Sequence, residues 1–300
     1  MLLWDFIADR DTPARKKLIA DLKVDLQIRL SDQARVIDSF SERELYSRDL
    51  GDLPKWIEKA FFRTTPHLVL QPIDATQVAI ILKFSVEKNL PIIPRGIAST
   101  AFGGPVPTKN GLVIDFSPMK KIGSISVGAD PTITVQAGAR FGDIEDFIQP
   151  YGYTLAVYPS NRLGTIGGWL SSGGYGMNAL KYGHVREWIA SIEVVTMDGS
   201  IRWLKNGEPD FDAFIGTEGQ MGIVTQVMLR LLPRPEVRVP HLLGFDSAKA
   251  AFDFANEIYA RDSVPATITY LSSELLRLLN QLHEIDHHDS LSREAGEGQG

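Results

Sequence analysis

The chain has 300 residues, 44% of them apolar, the composition of a globular protein with room for about two domains. Its 31 lysines and arginines stand against 37 aspartates and glutamates, a net charge of -6 that offers no broad basic surface to nucleic acid or acidic lipid. There is no cysteine, which excludes a disulfide, a thiolate nucleophile and a cysteine-ligated iron–sulfur cluster within these residues.

The opening run from Met1 to Phe6 places Asp5 among apolar residues and has neither the length nor the cleavage pattern of a signal peptide. No stretch approaches the roughly 20 continuous apolar residues of a membrane span. These features predict a cytoplasmic protein without a transmembrane segment, peripheral to a membrane only through partners. Leu18, Leu22, Leu26 and Leu30 recur at four-residue spacing and predict a helix over Thr12 to Arg29 with one apolar stripe. This helix belongs to an N-terminal helical segment, residues 1–64.

From His67 the pattern becomes β-α-β. Leu68 to Leu70 reads as a strand, Asp74 as the N-cap of a helix whose apolar positions Val78, Ile81, Leu82 and Val86 run up to Asn89, and Leu90 to Ile93 as a second strand. Gly111 to Asp115, Ile122 to Val127 and Thr132 to Val135 are β-rich runs separated by turn residues, which suggests a sheet with antiparallel character. Phe141 to Ile148 predicts a short helix closed by Pro150, and Tyr153 to Val157 a brief strand. Ile189 to Thr196 and Ser200 to Leu204, joined by Asp198-Gly199, predict a hairpin, and Met221 to Leu232 a long β run. After Pro235 two strands, Val239 to Phe245 and Pro265 to Tyr270, are expected to alternate with helices from Ser247 to Ile258 and from Glu274 to Leu282. A polar, glycine-rich end follows, and such a β-α-β-α piece is usually half of a larger α/β domain, so the chain is expected to be truncated relative to its functional unit.

Glycines gather in three loops. The first runs Pro94, Arg95, Gly96, Ile97, Ala98, Ser99, Thr100 and on to Gly103 and Gly104; the second begins at Pro159, passes Gly164, Thr165, Gly167 and Gly168, and reaches Gly174, Tyr175 and Gly176; the third covers Gly216 to Gly222, followed by Ile223 and Val224. A backbone that turns sharply and brings bare N–H groups against a pyrophosphate needs residues without a Cβ, so three such loops predict a cradle for a large nucleotide. The first loop follows the second strand of its unit, unlike the Rossmann fingerprint, which follows the first strand and opens a helix.

These loops, with Gly216-Thr217-Glu218-Gly219-Gln220-Met221-Gly222-Ile223-Val224-Thr225 carrying the greatest specificity, resemble the FAD-linked oxidase family, the fold of vanillyl-alcohol oxidase and p-cresol methylhydroxylase, within it the D-lactate dehydrogenase and glycolate oxidase FAD subunit branch. The resemblance covers about Thr65 to Glu236. It implies an α+β, two-subdomain FAD-binding domain over 65–236, followed by the start of an α/β cap domain over 237–300. It also implies that the three loops hold FAD, with Pro94 to Gly104 against the pyrophosphate, Pro159 to Gly168 beside the diphosphate and flavin, Gly174, Tyr175 and Gly176 continuing that segment, and Gly219, Gly222, Ile223 and Val224 closing the set. Relatives that attach FAD through a histidine have it where this chain has Ser99, so the flavin is expected to be noncovalent. The usual Arg-Gly-Gly-Gly-Thr is here Arg95-Gly96-Ile97-Ala98-Ser99, and the loop is expected to be reshaped at the two positions that gained side chains.

The resemblance further implies a FAD-dependent dehydrogenase or oxidase acting on a small 2-hydroxy acid, D-lactate or glycolate, and passing electrons to a separate acceptor: a partner protein, a fused iron–sulfur region or a quinone. The alternatives are an FAD-binding scaffold or electron-transfer subunit without a substrate site, and an oxidase of another alcohol. No catalytic base is identified. Arg162 faces either the flavin edge, a diphosphate oxygen or solvent, and Tyr158, Tyr175 and Lys181 have no stronger assignment. His184 is the histidine nearest a loop and serves either as a base or as a structural hydrogen-bonding group. Glu218 is read as satisfying local backbone donors. His283, His287 and His288 lack a well-spaced third partner and are read as solvated, so no metal site is expected.

Overall fold

The structure, a computed structural model, describes residues 12–30, 34–51, 54, 56, 64–261 and 264–282. The chain divides into two compact units, Met1–Glu236 and Val237–Gly300.

The first unit begins with helix α1 (Pro13–Arg29), capped by the Thr12 hydroxyl, which accepts from the Arg15 N–H, and carrying proline in its first turn. Its buried face is Ile19, Leu22, Leu26 and Leu30, while Leu18 stays exposed. Strict four-residue spacing advances 400° per step and walks around the helix, so Ile19 replaces Leu18 on the buried side. Strand β1 (Arg35–Ile37) and helix α2 (Phe40–Glu44) follow, neither of which the sequence pattern announces.

Strands β2 (Leu68–Gln71), β3 (Ile92–Arg95) and β4 (Leu112–Asp115) join β1 in a four-stranded sheet of order β1-β2-β4-β3. β1 is antiparallel, whereas β4 pairs parallel with both β2 and β3, with Leu112 opposite Leu68 on one side and Ile92 on the other. All four residues of β4 are buried, as expected of a central parallel strand covered on both faces. Helix α3 (Ala75–Lys88) crosses between β2 and β3; the Asp74 carboxylate accepts from the Gln77 N–H at 2.8 Å, and Asn89 ends the helix with φ of 50°. Its inner face, Val78, Ile81, Leu82 and Phe84, is fully buried with α1 and the sheet, while Val86 is exposed. The first glycine loop leaves the carboxyl end of β3.

The second subdomain is a five-stranded antiparallel sheet of order β5-β6-β10-β8-β9, built from β5 (Ile122–Ser126), β6 (Thr132–Gln136), β8 (Ile189–Val195), β9 (Ile201–Lys205) and β10 (Ile223–Arg230). The antiparallel reading thus holds for β5 and β6 but not for β4, which pairs with its parallel neighbours instead. The hairpin between β8 and β9 turns on Asp198, whose carboxylate accepts from the Thr196 hydroxyl and the Ser200 N–H and hydroxyl. Helices α4 (Phe141–Ile148) and α5 (Ile166–Ser171) cover this sheet, and Phe141, Ile144, Leu170 and Val227 are among its buried residues. The strand expected over Tyr153 to Val157 is shorter, β7 (Tyr153–Thr154), pairing with β11 (Leu232–Pro233). A four-residue helix, α6 (Ala179–Tyr182), precedes β8.

In the second unit, helix α7 (Ala248–Tyr259) is capped by Ser247, whose hydroxyl accepts from the Ala250 N–H at 3.2 Å, and a second helix runs over 273–282. Phe245 packs on Phe254 and Phe252 on Tyr270. The two expected strands are absent: residues 239–245 and 265–270 pair with no strand among the described residues. A β-rich run becomes a strand only when a neighbour takes up its N–H and C=O groups, and none of this unit's described residues is buried. His283, His287 and His288 lie outside the described residues.

Candidate functional site

The three glycine loops meet in one cleft of about 590 Å³ at the carboxyl end of the parallel sheet, where it adjoins the antiparallel sheet. That volume lies in the usual range of small-molecule and cofactor sites. Pro94 to Thr100 line it from the first loop, Pro159, Gly164, Thr165, Gly167, Gly168, Tyr175 and Gly176 from the second, and Gly219, Gly222, Ile223 and Val224 from the third. Gly103 and Gly174 are not among the lining residues: Gly103 ties its N–H to Asp49, and a Cβ on Gly174 would lie 2.2 Å from Val185, away from the cleft. Phe102, Ser160 and Asn161, within the loop ranges the sequence marks, line it too, as do Phe116, Ala137, Trp169, Ser171, Ser172 and Met177, which the sequence does not single out. Their nearness to the loops was the available signal for most of them, but an ordinary polar or aromatic residue shows its orientation only in the fold.

In the first loop the backbone N–H groups from Gly96 to Phe102 donate to no protein acceptor among the described residues. A run of unclaimed amides beside a cleft is a neutral anion-binding surface. Gly96 is held close to Thr165, whose hydroxyl a Cβ would approach to 2.4 Å. Ala98 has φ of 52°, so the loop keeps a left-handed turn at one of the two positions that gained side chains. That conformation costs an L-residue about 1–2 kcal/mol, against about 0.5–1 kcal/mol of chain entropy for glycine. Ala98→Gly is therefore expected to leave stability unchanged or raise it by up to about 1 kcal/mol, as thermal melting of the variant would show.

The second loop behaves differently from expectation. The first N–H groups of α5 do not face the cleft unpaired: Ile166 donates to the Ala139 carbonyl at 2.9 Å, Gly167 to the Ala137 carbonyl at 2.8 Å, and Gly168 to the Thr165 hydroxyl at 3.4 Å. These bonds stitch α5 to the chain leaving β6 and spend its first amides within the protein. The two glycines also differ. A Cβ on Gly167 would lie 2.7 Å from the Ala137 Cβ and 3.0 Å from its carbonyl, whereas one on Gly168 would approach only the Thr165 hydroxyl. Gly167 is bare for packing, and Gly168 is bare toward the cleft.

Arg95 lines the cleft with its backbone, but its guanidinium is engaged elsewhere. It donates to the carbonyls of Tyr46 at 3.2 Å, Pro105 at 3.2 Å and Arg48 at 2.8 Å, and stacks over the Tyr46 ring. Burial pushes its pKa down, against the pull of Asp115, Tyr46 and Asp49. The Tyr46 hydroxyl donates to Asp115 Oδ2 at 2.9 Å, and Gln71 donates to the same oxygen at 2.7 Å. Burial first, then the Asp115 charge and hydrogen bond, push the Tyr46 phenol up to about 12. The folded value lies above the ordinary one near 10, so the unfolded chain ionises first as pH rises. The stability advantage of the native protein over Tyr46→Phe is therefore expected to be constant below pH ~10 and to shrink between about 10 and 12. Paired melting curves across that interval check it.

Of the other candidates, Arg162, His184, Tyr158 and Lys181 stand apart from the cleft. Arg162 pairs with Asp146 at 2.7 Å on an exposed surface. His184 caps the turn Val185–Trp188: its Nδ1 accepts from the Arg186 N–H at 3.0 Å, its Nε2 is bonded to the Gly173 carbonyl, and its ring packs edge-on against Tyr175. Both ring nitrogens are thus taken, which is the structural role. Tyr158 and Lys181 do not line the cleft either, while Tyr175 does, 75% exposed. Glu218 is exposed at the cleft with φ of 52°, and its carboxylate takes no protein donor among the described residues, contrary to the expectation that it satisfies local backbone. No group of three or more histidines, aspartates and glutamates suited to a metal occurs among the described residues. No helix among them is long and apolar enough to cross a membrane.

Residues 66–205 match the family model for an FAD binding domain. The chain is 30% identical over 273 residues to the glycolate oxidase subunit GlcD of Bacillus subtilis (strain 168), an alignment covering 88% of this chain and 56% of that protein. It is 27% identical over 219 residues to the D-lactate dehydrogenase of Archaeoglobus fulgidus, covering 70% of this chain and 48% of the relative. The chain spans about half the length of the curated relatives it matches. Among solved structures, an alkyldihydroxyacetonephosphate synthase superposes with a TM-score of 0.63 at 23% identity, over 73% of this chain and 41% of that one, which is a likeness of fold. The paired sheets, the shared cleft and these matches together show a mixed α+β protein that carries an FAD binding domain, in an architecture resembling the vanillyl-alcohol oxidase type, with homology to the glycolate oxidase subunit GlcD and to D-lactate dehydrogenase.

Proposed function

We propose that the cleft holds FAD without a covalent bond and that the chain belongs to an enzyme oxidising a small 2-hydroxy acid, D-lactate or glycolate, with electrons leaving for a separate acceptor. The observation that carries the reading is the first loop, whose run of unclaimed amides borders the cleft of an FAD binding domain. The homology to a glycolate oxidase subunit and a D-lactate dehydrogenase supports the substrate class. Bound flavin supplies the hydride-accepting chemistry, and the protein's part is to bind, orient and manage protons.

The residues divide that work unevenly. The amides of Gly96 to Phe102 suit a diphosphate, and the apolar surface of Phe116, Ala137, Ile223 and Val224 suits a flat ring system. The ionisable residues lining the cleft are Arg95, Tyr175 and Glu218. The Arg95 guanidinium is taken up by three carbonyls, so no unspent cation among the described lining residues faces a substrate carboxylate. That lack also favours a second reading: an FAD-binding scaffold or electron-transfer subunit without its own substrate site. The acceptor in either case is a partner protein, a fused iron–sulfur region or a quinone, and the setting is cytoplasmic or peripheral to a membrane.

Anaerobic mixing of the FAD-loaded protein with D-lactate and with glycolate tests the substrate class. Loss of the flavin's visible absorbance with either acid supports the dehydrogenase. Stable flavin binding with no reduction by either, in a chain of the relatives' length, rejects the substrate class and leaves the second reading.

A further inference from the structure

Residues 46–51, between α2 and the segment leading to β2, lie along the outside of the first glycine loop. The Leu50 N–H donates to the Thr100 carbonyl at 3.0 Å, and the Gly103 N–H donates to Asp49 Oδ2 at 2.7 Å. The other Asp49 oxygen accepts from the Gly51 N–H at 2.8 Å, folding the strap back on itself. A Cβ on Gly51 would lie 2.9 Å from Asp49 Oδ1 and 3.0 Å from the Ala101 carbonyl, so strap and loop both crowd this position. Arg95, at the root of the loop, holds the strap from the other side through the carbonyls of Tyr46 and Arg48, and reaches the loop's far end through Pro105.

Between Gly96 and Phe102 the Leu50 bond is the one hydrogen bond to the rest of the protein among the described residues, and the Asp49 bond closes the next position. A loop whose amides are left free for a ligand cannot hold its shape with those same amides. The strap supplies the ordering that the loop gives up. The geometry points to Asp49 as a positioning residue that sets the first loop in its cofactor-binding shape before the cofactor arrives. This rests on the reading of the cleft as the FAD site.

The assignment runs against simple electrostatics, and that makes it testable. A carboxylate beside a loop that binds a diphosphate repels it, so its value lies in the two N–H bonds it accepts. Asp49→Asn and Asp49→Ala remove the same charge, but asparagine keeps one acceptor, its amide oxygen, which can still take the Gly103 N–H, whereas alanine keeps neither bond. FAD titration of the full chain is expected to show Asp49→Ala weakened by about ten- to a hundredfold, since several loop residues must then be ordered on binding. Asp49→Asn is expected to bind within a few-fold of the native protein, since it keeps the bond from Gly103 that ties strap to loop and gives up the one within the strap, and both variants are expected to melt close to it. Equal weakening of both, or a fall in melting temperature that tracks the lost affinity, overturns the assignment.

Amide hydrogen exchange of the cofactor-free protein separates this from the FAD reading itself. Faster exchange of the Gly103 and Leu50 N–H groups, the two that bond strap to loop, is expected in Asp49→Ala than in Asp49→Asn whether or not FAD is the ligand. Identical exchange in the two variants overturns the strap. A native chain that binds no FAD overturns the cofactor reading and leaves the exchange comparison standing.

Discussion

Replacing Gly168 with valine is expected to weaken FAD binding by about 5- to 150-fold while the cofactor-free protein melts within about 1 kcal/mol of the native stability. The new side chain grows from the first turn of α5 into the cleft, and its only close protein neighbour is the Thr165 hydroxyl at 3.0 Å from the Cβ. Gly167→Val is expected to do the opposite. Its Cβ meets Ala137, side chain and carbonyl together, and the N–H bond from Gly167 to that carbonyl has to break or shift. A loss of about 2–3 kcal/mol in folding stability follows. Two adjacent glycines with opposite phenotypes would show that the cleft has one wall facing a ligand and another facing the core. Flavin titration beside thermal melting of both variants gives the comparison, and matched behaviour would sink it.

Gly138→Ala is expected to have the largest effect on folding. The residue follows β6, donates its N–H to the Met119 carbonyl at 2.8 Å, and sits under the turn that leaves β4. A Cβ there would lie 1.9 Å from the Phe116 carbonyl and 2.8 Å from that of Met119. Both obstacles are backbone, so no side chain can swing aside. This is also where the parallel and antiparallel sheets are joined, with Phe116 and Ala137 on the floor of the cleft. A cost of about 3 kcal/mol or more, and a melting temperature lower by roughly 10 °C, are expected. A variant that melts with the native protein would mean that the two sheets are not held together there.

Local signals in the sequence carried much of this fold. Asp74 and Asn89 bracket α3 as a carboxylate cap and a left-handed terminator, and Asp198-Gly199 marks the hairpin that forms. The cleft was legible for a related reason: glycine is conspicuous, and the three loops that concentrate it are the three that converge. What the sequence hid are bonds between distant residues. Arg95 reads as one residue of a phosphate loop, yet its guanidinium reaches back to residues 46 and 48. The amides of α5 look free until Ala137 and Ala139 are found opposite them. His184 reads as either a base or a structural group until both its nitrogens are seen to be occupied. The apolar runs at 239–245 and 265–270 have strand composition, but composition supplies no neighbour to pair with.

The most direct test of the site is titration of FAD into the cofactor-free chain, followed by acid precipitation of the complex. Saturable binding of one FAD per chain, with the yellow flavin released into the supernatant, is the expected result. Absence of saturable binding, or flavin that stays with the precipitated protein, would contradict a dissociable FAD held by these three loops.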